Sequence, residues 1–99
     1  MINVVVGFDW DDGNREKCQK HGVSVADIEF ALMGDLRVTP DPAHSDDEER
    51  FIGIGRTEDG KAIFVAFTFR FKGVERLIRP ISARYMHKKE IHTYEKKGS

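Results

Sequence analysis

The run Ile63-Phe64-Val65-Ala66-Phe67-Thr68-Phe69 limits the fold more than any other part of this 99-residue chain. Ile63, Val65, Phe67 and Phe69 alternate with Phe64, Ala66 and Thr68, so both faces of an extended strand carry apolar atoms. Such a strand belongs in the middle of a sheet. Residues 50–57 and 74–83 have strand chemistry too. Glu58-Asp59-Gly60 carries the Asp-Gly signal of a tight hairpin between the first two runs, and Phe71-Lys72-Gly73 reads as a second, looser turn. Pro80 cannot donate to a ladder and points to an edge or a bulge. Gly53-Ile54-Gly55 lies inside a strand and reads as a bulge or as close packing.

The first half is helical in pattern. Val4-Val5-Val6-Gly7-Phe8 reads as a short strand, and Asp11 or Asp12 as the N-cap of a helix running to about Lys20. Gly22 suits the left-handed position that ends a helix. Ser24, with Asp27 three residues on, restarts one. Its buried stripe is Val25, Ile28, Ala31 and Leu32, and Gly34 stops it. Leu36-Arg37-Val38-Thr39 forms a short strand closed by Pro40 and Pro42. After Tyr85, only Met86, Ile91 and Tyr94 give an apolar stripe to a charged helix, which packs lightly or exchanges with a partner. The expected order is β-α-α-β-β-β-β-α. That is a small α+β fold in one domain, residues 1–99, with the helices on one face of an antiparallel sheet.

No apolar run approaches the roughly 20 residues of a membrane helix, and the start lacks a signal-peptide layout. Cys18 is the single cysteine, so a reducing cytoplasm is the expected setting. The net charge of −1 conceals a polarity. Residues 1–69 hold 14 acids and 7 bases, whereas residues 70–99 hold 9 bases and 3 acids. A basic last third suits phosphates or an acidic partner, or it is a set of solvated faces.

His21 can exchange a proton where lysine and arginine cannot easily do so. From the residues alone, capping the C-terminal end of a helix is the stronger reading of it. Lys20 beside it could hold a phosphate. Arg50, Arg70 and Arg84 each stand near the end of an expected strand, and a forked cation fits the phosphate of RNA. Cleavage of RNA by its own 2′-hydroxyl needs a base, a cation and an acid, and no metal. His21, Glu49, Lys20 and the arginines supply those types. Asp41-Pro42-Ala43-His44-Ser45 reads as a structured turn rather than a nucleophile site. His87 and His92 do not share a helix face, so no metal site is expected. There is no glycine-rich phosphate loop, dinucleotide fingerprint or paired-cysteine motif, and no cofactor is expected.

Several blocks in order resemble the BrnT family of bacterial toxins. They are Phe8-Asp9-Trp10-Asp11, Lys20-His21-Gly22-Val23-Ser24, Asp41-Pro42 with His44-Ser45, Glu49-Arg50-Phe51 before Ile54-Gly55, and Ile81-Ser82-Ala83-Arg84. Lys89-Glu90 and Tyr94-Glu95 match the family ending. The resemblance spans residues 8–94. It implies a RelE-like fold, a ribonuclease that blocks translation, and neutralisation by a BrnA-type ribbon-helix-helix antitoxin through which alone the pair would touch DNA. It is compatible with a homodimer or a toxin–antitoxin heterotetramer. By position, Lys20, His21, Glu49, Arg50, Arg70 and Arg84 match the family's polar positions. Lys20 and the arginines are assigned to phosphate or transition-state binding, and His21 or Glu49 to proton transfer. Tyr85-Met86-His87-Lys88 departs from the family's usual Ala-Thr, and His87 is either an added proton donor or a surface residue. The competing readings are a non-catalytic RNA- or protein-binding module of the same fold and a purely structural domain.

Overall fold

The computed structural model describes residues 5–44 and 48–97. Its elements run β1 (Val5–Phe8), α1 (Asp12–Gln19), α2 (Val25–Met33), β2 (Arg37–Pro40), β3 (Phe51–Arg56), β4 (Ala62–Lys72), β5 (Glu75–Tyr85) and α3 (Lys88–Lys97). The expected α+β order is the observed one. Pro42–His44 forms one 3-10 turn, while Val4, Ser45, Asp46 and Asp47 lie outside the described residues.

Local chemistry sets the ends of the helices. Asp11 caps α1 by accepting from the Asn14 amide at 2.9 Å, and the Asn14 side chain returns the favour to the Asp11 amide at 2.7 Å. The Asn14 amide group also donates to the carbonyls of Asp9 and Pro80, which pins α1 to β5. Gly22 follows α1 with φ +89, the left-handed conformation expected of it. Ser24 caps α2 by accepting from the Asp27 amide, and Gly34 closes it.

The strand order is β1-β5-β4-β3-β2. β4 is central, as its two apolar faces require. The sheet is mixed rather than wholly antiparallel, because β1 pairs in parallel with residues 76–78 of β5. A pairing between chain segments so far apart carries no local sequence signal. At Pro80 the register slips, with Ala66 opposite Ser82 and Phe67 opposite Pro80, so the proline sits at the bulge that it suits.

One face of the sheet is closed. Ile63, Val65, Phe67, Ile78 and Ala83 bury against Cys18, Val23, Ile28, Ala31 and Leu32 of the first two helices and the turn between them. Burying each large apolar side chain of this kind contributes roughly 1.5–3 kcal/mol. Gly53 and Gly55 admit the close approach of α2 and Leu36, since a Cβ at Gly53 would lie 3.0 Å from a Leu36 methyl. Close packing, not a bulge, is their role, because β3 pairs in continuous register. Burial also pushes the Cys18 thiol up to about 11, leaving it protonated and inert at neutral pH.

The helices do not all share that face. The residues that α3 touches, Arg37, Ile54, Phe64 and Arg84, alternate with the buried set and form one cross-strand row on the opposite face. None of the α3 side chains described is buried, in line with its weak apolar stripe.

Candidate functional site

The row Arg37–Ile54–Phe64–Arg84 borders a second row, Thr39–Ile52–Ala66–Ser82, on the same face. Ala66 and Ser82 are small, so the sheet is hollow beside the bulky first row. A cavity of about 340 Å³ opens there, lined by His21, Ile52, Phe64, Ala66, Ser82 and Arg84. His21 belongs to the turn after α1, on the far side of the sheet. It reaches this cavity because β1 pairs only with residues 76–78, so among the described residues no strand covers the outer edge of β5 beyond Pro80. The turn itself depends on Gly22. Thus the bulge, the short β1 and one glycine together bring His21 beside Arg84.

Arg84 is held firmly. Its guanidinium lies over the Phe64 ring at 4.4 Å and forks onto Glu90 of α3, with both nitrogen–oxygen distances 2.9 Å. The His87 amide donates to the same carboxylate, also at 2.9 Å. The Arg84 fork, and after it the His87 amide, hold the Glu90 carboxyl down at about 2 from an ordinary 4.5, while the same bond raises Arg84. A carboxylate depressed on folding stabilises the fold above its unfolded pKa and loses that contribution as pH falls through its folded value. The link from α3 to Arg84 should therefore be complete above about pH 4.5 and fade toward pH 2. Far-UV circular dichroism of the wild type and Glu90→Gln should differ in α3 helicity at neutral pH and converge toward pH 2. Identical acid profiles would show that the link contributes nothing.

The other residues expected at the site fall elsewhere. Lys20 is exposed at the C-cap of α1, next to His21. Arg70 is on the same sheet face as Arg84 and pairs with Glu48. From position 64, opposite Arg84, to position 70 is about 20 Å along β4 at about 3.3 Å per residue. Glu49 is exposed nearby, and its carbonyl accepts from the Thr68 hydroxyl at 2.6 Å. Arg50 is half-buried, its carbonyl accepting from the Asp41 amide. Of the six residues, His21 and Arg84 share one cavity, with Lys20 next to His21 in the chain, whereas Arg70 lies farther along the same sheet face and Glu49 lines a separate cavity with Phe51 and Phe69.

Sequence reasoning missed Glu90 and Phe64 as the partners of Arg84. Phe64 could have been found, since the two-faced strand places it outside the core. Glu90 sits three residues after His87, the spacing of a carboxylate that reaches back to an N-cap amide. Arg79 was passed over as well. It binds Asp9 and Asp11, at 3.4 and 2.8 Å, and ties the end of β1 to β5. The Asp11 carboxyl is lowered first by the Asn14 amide and then by Arg79.

A small α+β domain with an open sheet face, a forked cation and an imidazole on one cavity has the equipment of a phosphodiester-binding protein. Residues 10–90 match the family described as the ribonuclease toxin BrnT of type II toxin–antitoxin systems. The chain belongs to that family. No curated protein matches it.

Proposed function

We propose that the chain is a metal-independent endoribonuclease toxin with a RelE-like fold that arrests translation by cutting RNA, and that its centre is the cavity shared by His21 and Arg84. That shared cavity is the observation that carries the reading, since it joins a proton-transfer group to a phosphate-binding one. His21 takes the proton of an RNA 2′-hydroxyl. The 2′-oxygen bonds to phosphorus as the bond to the 5′-oxygen breaks, and Arg84 holds the charge on the phosphoryl oxygens. The departing 5′-oxygen takes its proton from the His87 imidazolium, which lines the adjoining cavity. Lys20 adds positive charge at the entrance. Arg70 follows the RNA backbone farther along the face, with Arg50 and Glu49 near that end of the sheet.

A BrnA-like ribbon-helix-helix antitoxin neutralises the activity, in a heterotetramer formed in the cytoplasm. No described helix is long and apolar enough to cross a membrane. Purified chain incubated with RNA and a chelator should yield fragments ending in 2′,3′-cyclic phosphate and 5′-hydroxyl. Fragments bearing 5′-phosphate, or cleavage only on adding a divalent cation, would overturn the mechanism. An intact RNA would overturn the function.

A further inference from the structure

We infer that Arg84 and the first turn of α3 form a ready-made seat for one phosphate of the RNA backbone, and that Glu90 occupies it as an internal competitor. The inference rests on the ribonuclease reading and deepens it. Three donors converge on the Glu90 carboxylate: both terminal nitrogens of Arg84 and the backbone N–H of His87, each at 2.9 Å. A carboxylate presents two oxygens to that fork, and so does a phosphodiester. The seat is also rigid, because Phe64 packs under the guanidinium and fixes its plane.

Its position matters as much as its donors. The cavity with His21 lies on one side of the Arg84–Glu90 pair. On the other side, a cavity of about 770 Å³ is lined by Phe64, Met86, His87, Glu90, Thr93 and Tyr94. Phe64 is a wall of both. An RNA strand with its phosphate on Arg84 would place one nucleotide in each cavity, and the Glu90 side chain stands across that path.

The helix carrying Glu90 is built to be moved. Its polar tethers to the sheet include Glu90 on Arg84, Glu95 on Arg56 at 3.9 Å, and the Tyr94 ring under Arg37 at 5.3 Å. Each of these uses an arginine, and ion pairs this exposed contribute little. RNA phosphates compete for the same three cations. Binding therefore exchanges the carboxylates of α3 for phosphates, and the helix loosens from the face beyond its first turn, which stays in place and keeps the His87 amide on the seat.

The test uses a 2′-O-methyl oligoribonucleotide, which binds but has no free 2′-hydroxyl to react. Glutamine at position 90 still accepts from the N-cap amide, so Glu90→Gln should fold, as a thermal melt would verify. It should bind the oligonucleotide about tenfold tighter than the wild type, the scale of one hydrogen-bonded charged pair. Amide exchange in residues 91–97 of the wild type should quicken when the oligonucleotide is added. Equal or weaker binding by Glu90→Gln, or protection of residues 91–97 by the oligonucleotide, would overturn the seat and its competitor. If the wild type cleaves RNA while Glu90→Gln gains nothing, only this inference falls. If the wild type neither binds nor cleaves, the ribonuclease reading falls with it.

Discussion

Arg84→Ala should slow RNA cleavage by about 10² to 10³-fold, the range seen when one donor to a developing oxyanion is removed. The loss should appear in the single-turnover rate at saturating RNA, because the charge that Arg84 meets grows toward the transition state. Arg70→Ala is the informative contrast. Arg70 shares the sheet face and the charge, but it lies about 20 Å along β4 from position 64, opposite Arg84, and it pairs with Glu48. Its removal should weaken binding of RNA and reduce the salt dependence of that binding, with little change in the rate once RNA is bound. Equal losses of single-turnover rate in the two variants would mean that the two groups of residues act on one phosphate, against the division of the site. Arg84→Lys sharpens the point, since lysine keeps the charge and loses the fork. A variant restored to near wild-type rate by lysine would show that bulk charge, not bidentate geometry, is what the reaction needs.

Much of the scaffold was legible because its signals are local. The alternation through Ile63 to Phe69 placed β4 at the centre, Asp59-Gly60 marked the hairpin, and Gly22 and Ser24 separated the two helices. What the sequence left open depends on contacts between distant segments. Nothing near Val5 or Arg76 announces that they will pair in parallel, and this pairing makes the sheet mixed. The weak stripe of α3 suggested light packing, but the expectation that α3 would share the face of the first two helices did not hold. On the opposite face it meets Ile54 and Phe64, and Arg37, Arg56 and Arg84 there contact Tyr94, Glu95 and Glu90. The candidate site shows the same division. Residue types could nominate His21 and Arg84 separately. Only the short β1 and the bulge at Pro80 open the edge of β5 through which the two reach one cavity. The same geometry sets Glu49 and Arg70 apart from them, a separation invisible to a list of polar residues.

His21→Ala should cost about 10² to 10⁴-fold in cleavage, the usual contribution of a positioned acid or base. Stability should hardly change, because His21 is exposed and the turn it occupies depends on Gly22 rather than on the imidazole. These two expectations together separate the chemical role from the capping role. A histidine that serves mainly to satisfy the C-terminal end of α1 would lower the melting temperature when removed and leave the rate per folded molecule intact. A further measurement bears on the chemistry alone. The cavity beside Arg84, about 340 Å³, has ample room for a free imidazole once the side chain is cut back to alanine. Added imidazole should then restore part of the lost rate to His21→Ala and do nothing for Arg84→Ala, whose missing group is a cation. A His21→Ala protein that still binds the oligonucleotide, cleaves RNA at the wild-type rate and ignores imidazole would remove His21 from the reaction. Proton transfer would then fall to Glu49, at the far end of the sheet, and the reacting phosphate would have to be sought there.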